Sequence, residues 1–277
     1  MSSVSFIGLV RRTHRSSSKG NLMSNKLDFS RELIGRRALV TGGTRGMGAA
    51  IAQRLLDAGA KVVVTGRSRG EATPAGATFI AGDVASLEGV KAIAVGTLGA
   101  LGGLDILVNN AGGASPFPGG TASIPDEEWQ ASFALNLFAA VRLTNAVLPV
   151  LRESKVGAIV NISSNAARMP FGPFAHYCAA KAALDMYSRA LALDLGPKGI
   201  RVNVVSPGPV ITPGGDEARK AFRDATGAPA DVFAQSVPLG RLGSPDDVAE
   251  VVALLASDRG KWMTGANILV DGGMTAR

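Results

Sequence analysis

Short apolar runs alternate with longer segments of helical periodicity along most of the chain. The runs are rich in Val, Ile and Leu, and glycine or polar residues bound them, which is typical of strands buried on both faces. They predict strands at 37–41, 61–65, 77–81, 104–109, 156–162, 200–205 and 266–270. Helices are predicted at 46–58, 86–99, 126–151, 174–195 and 245–257, and segment 209–236, with proline and glycine near its start, is predicted to lie outside the sheet.

Two of the helix starts carry clear signals. Ser86 precedes an apolar helical segment, and Ser244 is followed by a proline and two aspartates, the pattern of an N-cap with an acidic first turn. Strands that alternate with helices form right-handed βαβ units, and their parallel sheet is covered on both faces. We therefore predict an α/β protein with a doubly wound parallel sheet of about seven strands, as a single domain over 36–277.

Positive charge is concentrated at the start of the chain. Residues 1–37 carry eight basic and two acidic residues and so account for six of the net charge of +7. Residues 1–35 are predicted to be a basic extension, either a disordered tail or an upstream start before a natural one near Met23. An organelle transit peptide is the alternative. A nucleic-acid-binding arm is disfavoured, because no nucleic-acid-binding fold follows it.

Composition excludes several kinds of site. A single cysteine cannot form an internal disulfide, and one cysteine with two histidines is too few ligands for a Cys/His zinc site, so no metal is expected. The apolar stretch 133–151 is nearly long enough to span a membrane, but Asn136, Arg142 and Asn145 interrupt it. A charge at the bilayer centre is costly. The stretch is therefore predicted to be a helix packed against protein.

A glycine-rich segment links the first predicted strand to the first helix. It reads Thr41-Gly42-Gly43-Thr44-Arg45-Gly46-Met47-Gly48. A turn of this kind offers backbone N–H groups and the positive end of a helix dipole, which suit a pyrophosphate. Its spacing differs from the common G-x-G-x-x-G pattern, so a tight turn without a ligand is the alternative.

Two arginines indicate which dinucleotide would bind. An NAD-binding unit carries an acidic residue about 20 residues after its glycines, where it bonds the ribose 2′-hydroxyl. The corresponding stretch of this chain holds Arg67 and Ser68 instead, and Arg45 stands within the glycine turn. Because two cations suit a 2′-phosphate, NADP(H) is favoured over NAD(H), which stays possible. The structural alternative is that both arginines are solvated surface side chains.

A tyrosine and a lysine stand four residues apart in a predicted helix. Tyr177 and Lys181 therefore share one helical face. A nearby ammonium stabilises a phenolate and lowers the tyrosine pKa, which makes the phenol a usable proton donor or acceptor for a carbonyl or an alcohol. Ser164 follows the preceding strand, at the sheet edge where open α/β proteins bind their ligands.

These motifs, in this order, resemble the short-chain dehydrogenase/reductase family over residues 36–274. The resemblance rests on TGGTRGMG at 41–48, Asp83-Val84, NNAG at 109–112, Asn136, Ser164, YCAAK at 177–181, Ser206-Pro207-Gly208 with Thr212, and Asp271-Gly272-Gly273. It implies a Rossmann-like fold and an oxidoreductase that interconverts a ketone or aldehyde with an alcohol by hydride transfer.

The resemblance also implies residue roles. Tyr177 would be the proton donor, Ser164 would bond the substrate carbonyl, Lys181 would hold the nicotinamide ribose and lower the tyrosine pKa, and Asn136 would anchor a water in a proton relay. The expected dinucleotide-binding residues are Thr41, Gly42, Thr44, Arg45, Gly46, Met47 and Gly48, Arg67 and Ser68, Asp83 and Val84 at the adenine, Asn110, Ala111 and Gly112 at the adjoining ribose, Tyr177 and Lys181, and Pro207, Gly208, Val210 and Thr212 at the carboxamide.

Two other functions stay open. A 3-oxoacyl carrier-protein reductase would need paired basic residues on neighbouring helices, where Arg142 fits one position and Leu193 occupies the other. A non-catalytic dinucleotide-binding sensor is disfavoured, because such relatives typically lack the tyrosine or the lysine.

The expected partner is a small, moderately apolar carbonyl or alcohol, with neither nucleic acid nor membrane. Segments 113–125 and 209–236 should select the substrate, through Phe117, Phe222 and Phe233 among others. The apolar helices predict burial against another subunit, and the family resemblance implies a homotetramer or homodimer. The expected location is the cytoplasm, with an organelle as the alternative.

Several residues near the motifs are given structural roles. Ser163 should point away from Ser164 at the strand end, His176 should be packed or at an interface, and Cys178 should be a small buried residue. Trp129 and Trp262 are expected to be core or interface anchors.

Overall fold

Strands and helices alternate along residues 29–276, the range that the computed structural model describes. The predictions made for residues 1–28 lie outside the described residues. The strands are β1 (Arg37–Thr41), β2 (Lys61–Gly66), β3 (Thr78–Ala81), β4 (Ile106–Asn109), β5 (Ala158–Ile162), β6 (Arg201–Pro207) and β7 (Asn267–Val270). The helices are α1 (Gly46–Asp57), α2 (Leu87–Leu101), α3 (Asp126–Phe133), α4 (Ala139–Leu151), α5 (Ala175–Leu195), α6 (Pro213–Thr226), α7 (Val232–Gln235) and α8 (Pro245–Ala256).

The seven strands form one parallel sheet in the order β3-β2-β1-β4-β5-β6-β7. The chain starts in the middle, winds outward to β3, crosses back to β4 and continues to β7. This is the doubly wound arrangement, so the predicted fold class and the single sheet are confirmed. Such sheets bind ligands at the carboxyl ends of their strands, where the strand order reverses.

Alternate side chains of each central strand enter two different cores. Val40 and Val64 join the core that packs against α1 and α8, whereas Leu39 and Val63 join the core beneath α2 and α4. All four side chains are fully buried. Helices cover both faces of the sheet, which explains why the strands read as continuous apolar runs rather than alternating ones.

The predicted helix at 126–151 is interrupted in its middle. Residues Ala134–Phe138 form a π-helical turn between α3 and α4. The Asn136 amide donates to the Ser132 carbonyl, which a regular helix would use for its own ladder, and also to the Gly113 carbonyl. Insertions of this kind are frequent at functional sites.

The run Asp126–Leu151 is long and apolar enough to cross a membrane by length and composition alone. Its apolar character follows from packing, because Leu143, Val147 and Leu151 are fully buried in the core beside α2. The run is a helix packed against the protein, as predicted.

Segment 209–236 contains two helices that the proline and glycine content concealed. The Thr212 hydroxyl caps α6 by accepting from Gly215 N at 3.0 Å, Pro213 occupies the first turn, and Gly227 ends the helix in a left-handed conformation. These are ordinary start and stop signals, so the helix was readable from the sequence.

Residues 29–35, which the sequence assigned to the basic extension, pack against the domain. Leu33 is fully buried in the core with α1, and its N–H donates to Ala58 O at 2.8 Å. Glu32 accepts hydrogen bonds from Arg54 and Arg259 at 2.8 and 2.7 Å. An apolar anchor and two ion pairs fix this segment to the domain.

A chain of buried polar side chains crosses the apolar centre of the sheet. Asn109 of β4 and Asn161 of β5 stand opposite each other, and the Asn109 amide donates to Asn161 Oδ1 at 2.8 Å. The Asn161 amide donates in turn to the Ser188 hydroxyl on α5, also at 2.8 Å. These bonds join the strands that end beside the predicted dinucleotide and substrate sites.

Candidate active site

The predicted site residues gather at the carboxyl edge of the sheet. Loops after β1, β2, β3, β4, β5 and β6 carry them, and α5 supplies the tyrosine and the lysine. Loops from both sides of the point where the strand order reverses meet here, between β1 and β4. One edge of the sheet thus holds both the glycine turn and the candidate proton-transfer groups.

The glycine turn after β1 leaves little room for side chains. Gly42 and Gly46 have positive φ angles, which other residues rarely adopt. A Cβ at Gly43 would lie 2.6 Å from Val64 on β2, and a Cβ at Gly48 would overlap the Gly42 carbonyl. Helix α1 then begins at Gly46 without a side-chain cap or an acidic residue in its first turn. This cradle of backbone N–H groups fits a dinucleotide phosphate.

The second small-residue turn, after β4, is fastened to the first. The Thr41 hydroxyl accepts from the N–H groups of Asn110 and Ala111 at 2.9 and 3.0 Å, and the Asn110 amide donates to Thr41 O at 2.9 Å. These bonds fix the position of the turn after β4 relative to the glycine turn after β1. Asn110 Oδ1 is buried and accepts no hydrogen bond within the described chain.

The predicted 2′-phosphate residues are exposed at the rim of this cradle. Arg67 and Ser68 directly follow β2, and both are exposed. Arg45 is exposed as well and lies 3.8 Å from Glu217 on α6. Gly43 N donates to Thr65 O at 3.1 Å, so the glycine turn and the end of β2 touch. Both arginines have solvent on their outer side, where a phosphate could be reached.

The two residues predicted to contact the adenine have different surroundings. Val84 is buried beside the second core, whereas Asp83 is exposed. The Asp83 carboxylate already accepts from Ala85 N at 2.9 Å, in the turn that precedes α2. Val84 therefore presents an apolar wall, and Asp83 orders the turn.

The predicted carboxamide segment connects β6 with α6. Gly208 N donates to Val270 O at 3.0 Å, and a Cβ at Gly208 would lie 2.8 Å from Asp271. Val210 is buried, and its carbonyl accepts from Arg219 at 3.0 Å. Thr212 packs against Gly46 of the glycine turn, so this segment closes the far side of the same cleft.

Lys181 is almost completely enclosed. It is 3% exposed, and its Nζ donates to the Ile162 carbonyl at 2.9 Å and lies 5.7 Å from the centre of the Tyr177 ring. Burial lowers the pKa of Lys181 to about 8, against a smaller opposing effect of the Asp185 charge. The ammonium is therefore close to losing its proton just above neutral pH.

The effect of Lys181 on the pKa of Tyr177 stays a prediction. Burial raises the pKa of the phenol, and the hydrogen bond with the Ser164 hydroxyl opposes that rise. The Lys181 ammonium bonds the Ile162 carbonyl instead of the phenol, and a buried phenolate is poorly solvated. The contact with the Ser164 hydroxyl favours the phenolate.

The two serines after β5 point to different surroundings. The Ser164 hydroxyl accepts from Ala166 N at 3.1 Å and lies within reach of the phenol. The Ser163 hydroxyl is buried and donates to the Lys181 carbonyl at 3.3 Å. Ser163 therefore has the structural position expected of it.

Asn136 and Lys181 meet across Gly112. The Asn136 carbonyl oxygen would lie 2.8 Å from a Cβ at Gly112, and Lys181 Nζ would lie 3.1 Å from the same point. Both side chains line a small internal cavity with Thr41 and Asn109. The polar lining suits a water molecule.

The neighbouring residues with expected structural roles fall mostly as predicted. His176 is buried, with its ring 5.5 Å from Phe117 and 6.2 Å from Trp129 in edge-to-face contacts, and Cys178 is buried too. Trp129 is half-buried. Trp262 is 97% exposed, so the core position considered for it is wrong, and the interface role stays a prediction.

Three phenylalanines, Phe171, Phe222 and Phe233, pack together and form an aromatic wall. The Phe171 ring lies 5.0 Å from Phe222 of α6, and Phe222 lies 5.5 Å from Phe233 of α7. Phe171 belongs to the segment that leads into α5, six residues before Tyr177. Sequence reasoning named Phe222 and Phe233 but missed Phe171, whose position depends on how α6 folds back.

Of the residues that bear on the carrier-protein alternative, Arg142 is half-buried and Leu193 is exposed. The Arg142 guanidinium donates to Ala85 O at 2.8 Å and lies 5.5 Å from the Phe138 ring centre. Leu193 is 82% exposed and brings no charge.

Comparison with known proteins agrees with this geometry. A family profile described as Enoyl-(Acyl carrier protein) reductase matches residues 42–275. Dehydrogenase/reductase SDR family member 4 of Caenorhabditis elegans is 38% identical, covering 89% of this chain and 98% of the relative. The 3beta-hydroxysteroid dehydrogenase 1 of Eggerthella lenta is also 38% identical, covering 88% and 95%.

A solved structure matches as well. The ligand-free aldohexose dehydrogenase of Thermoplasma acidophilum superposes with a TM-score of 0.81 at 32% identity, over 90% of this chain and 97% of the other. Sheet order, glycine turn, Tyr-Lys pair and overall similarity thus agree, and the chain belongs to the short-chain dehydrogenase/reductase family of oxidoreductases.

Proposed function

We propose that this protein is an NADP(H)-dependent oxidoreductase that interconverts a moderately apolar ketone or aldehyde with the corresponding alcohol. The observation that carries the proposal is the meeting of Ser164, Tyr177 and Lys181 beside a glycine turn that fits a dinucleotide phosphate. When bound, the nicotinamide of such a cofactor supplies the hydride.

The chain's own residues would handle the proton. In carbonyl reduction the Tyr177 hydroxyl donates its proton to the carbonyl oxygen, while the Ser164 hydroxyl holds that oxygen by a hydrogen bond. The Ser164 contact lowers the pKa of the phenol and so eases the donation. Lys181 and Asn136 line the cavity beneath the site, where a water bound to Asn136 could return a proton to Tyr177.

Replacing Tyr177 by phenylalanine tests this mechanism. Loss of the proton donor should lower kcat for carbonyl reduction by about a hundredfold or more. Tyr187→Phe is the matched control, because Tyr187 is the second of two tyrosines and lies farther along α5. NADPH binding, followed by nicotinamide fluorescence, should persist in both variants. Near-normal turnover in Tyr177→Phe would refute the mechanism, whereas binding without turnover of any carbonyl by the unaltered protein would favour the sensor.

The preference for NADP(H) is supported by the exposed cations at the rim. Arg67→Ala should raise the KM for NADPH by about tenfold while changing the KM for NADH little, because the variant would lose one charge-assisted hydrogen bond to the 2′-phosphate, which NADH lacks. Arg69→Ala is a control of equal charge and exposure two residues away. An equal loss with both cofactors in Arg67→Ala would contradict the preference.

The aromatic wall supports an apolar substrate. Phe171, Phe222 and Phe233 are half-buried or exposed, so they retain apolar surface that a substrate would contact. A series of ketones with increasing apolar area should therefore show falling KM, and Phe222→Ala should flatten that trend. A KM that does not change along the series would contradict this assignment.

We also propose that the chain forms a homotetramer or homodimer through α4 and α5. Phe138, Met186 and Leu193 are large apolar side chains that are 44%, 63% and 82% exposed on this side of the molecule. Leu193→Glu should shift the sedimentation coefficient toward the monomer. Unchanged sedimentation in a Met186→Glu, Leu193→Glu double variant would exclude this face.

A further inference from the structure

The start of α6 lies against the glycine turn that begins α1. A Cβ at Gly46 would lie 3.3 Å from Thr212 and 3.6 Å from Pro213, so the first turn of α6 is next to the segment that fits a dinucleotide phosphate. Pro213 and Glu217 stand four residues apart in α6 and therefore share one helical face. The face of α6 that meets the glycine turn thus carries a carboxylate one turn farther on.

Glu217 reaches the glycine turn through Arg45. The distance from Glu217 Oε1 to Arg45 Nη1 is 3.8 Å, and the two side chains are 72% and 61% exposed. At this distance the contact is an ion pair without a hydrogen bond. Arg45 is the N-cap residue of α1 and one of the two cations expected to meet a 2′-phosphate. A carboxylate of the chain itself therefore stands beside half of the expected anion site.

The two expected cations differ in their partners. Among the residues that the structure describes, Arg67 makes no ion pair, whereas Arg45 pairs with Glu217. The neighbouring Asp216 is already engaged, because its Oδ1 accepts from Arg219 at 2.6 Å. Helix α1 has no acidic residue in its own first turn, so Glu217 brings negative charge to this helix start from another element.

We propose that Glu217 is a specificity-determining residue, which competes with the 2′-phosphate of the dinucleotide for Arg45 and so limits the preference for NADP(H). A 2′-phosphate that binds Arg45 has to displace the carboxylate, and the loss of that ion pair lowers the affinity. NAD(H) carries a hydroxyl in place of the phosphate, so its binding should not respond to Glu217. The proposal rests on the proposed function, because it takes NADP(H) as the favoured cofactor.

Glu217→Gln removes the charge and keeps the size of the side chain. The Kd for NADPH, measured by nicotinamide fluorescence, should fall by about two- to fivefold, the range that an exposed ion pair supports. The Kd for NADH should stay the same. Asp224→Asn is the matched control, since it removes a carboxylate from the same helix whose partner is Lys220, and it should change neither constant.

Two further measurements connect the effect with Arg45. In an Arg45→Ala background, Glu217→Gln should no longer change the Kd for NADPH, because the cation for which the two anions compete is missing. The gain in Glu217→Gln should also shrink from about 0.1 M to about 1 M salt, since salt screens exposed charges. Glu217→Ala is a second charge-free variant should Glu217→Gln not fold.

These measurements separate the possible failures. An unchanged Kd for NADPH in the charge-free variants, an equal fall for NADH, or a fall that persists without Arg45 overturns the competition even if the protein reduces carbonyls. A fall that is confined to NADPH and needs Arg45, in a protein that reduces no carbonyl, supports the competition and refutes the proposed reaction instead.

Discussion

Replacing Lys181 by methionine should make the folded protein more stable below pH 8 while abolishing carbonyl reduction. Methionine has a similar length and no charge, and its flexible chain fits irregular apolar space. The pKa of Lys181 falls from 10.5 to about 8 on folding. Each unit of that fall corresponds to about 1.4 kcal/mol, so the buried ammonium costs the folded state about 3 kcal/mol when both states are protonated.

The cost depends on pH in a definite direction. Below pH 8 the folded and unfolded chains both carry the proton, so the penalty is complete. Between pH 8 and 10.5 the unfolded chain binds more protons than the folded chain, and the stability of the unaltered protein rises with pH. Above 10.5 both forms are neutral, and the penalty is gone.

Methionine also gives up the hydrogen bond to the Ile162 carbonyl. A buried carbonyl that loses a partner costs about 1–3 kcal/mol. Below pH 8 the variant should therefore be more stable by about 0–2 kcal/mol, and near pH 10.5 it should be less stable by about 1–3 kcal/mol. The change across the window is about 3 kcal/mol whatever the hydrogen bond contributes.

Urea unfolding at several pH values measures this change. Both proteins are compared at one chain concentration, because oligomers unfold in a concentration-dependent way. Equal m-values would show that the unfolded states are comparable. A stability difference that stays constant from neutral pH to 10.5 would refute the reasoning, since Lys181 would then titrate alike in both states.

Three further changes should have measurable effects. In a Tyr187→Phe background Tyr177 is the single tyrosine, so an ultraviolet titration of its phenolate should give a midpoint above 10; a midpoint below 10 would contradict the effect of burial. Gly112→Ala should lower kcat by about tenfold or more while the protein stays folded, because the new methyl group displaces the Asn136 oxygen; unchanged kinetics would show that this contact can give way. Asp105→Asn should lower the free energy of unfolding by about 1–3 kcal/mol at neutral pH, because the carboxylate that accepts from Arg37 is lost. This loss should shrink in acid, where the Asp105 carboxylate of the unaltered protein, whose pKa is depressed, becomes protonated. A loss that does not change with pH would show that the shape of the side chain matters rather than its charge.

Much of the fold was predictable because its signals are local. Buried parallel strands read as apolar runs, and the cap at Ser244 was visible with its aspartates; the structure shows the full capping box with Asp247. The spacing of Tyr177 and Lys181 alone places them on one helical face. The glycine turn could be located because only glycine tolerates its positive φ angles and close contacts.

Other features depend on contacts that no local pattern reveals. The π-turn arises because Asn136 reaches Gly113, 23 residues away, and Leu33 is fixed by a helix that follows it. The raised pKa of Tyr177 depends on burial, which the contact with Ser164 opposes. No helix was predicted for α6, because the proline and glycine content of its segment suggested irregular structure. Thr212 nevertheless marked the start of this helix.

The paired amides of Asn109 and Asn161 bear on how the two halves of the cleft are aligned. Their neighbours in β4 and β5 are interchangeable aliphatic residues, so packing alone would tolerate several alignments of the two strands. A shift by two residues would move the strands by about 6–7 Å and break the hydrogen bond from Asn109 to Asn161, leaving the buried Asn161 Oδ1 without that donor. This pair therefore fixes the register of β4 against β5. In doing so it sets the position of the turn after β4 relative to Ser164, without the help of a ligand.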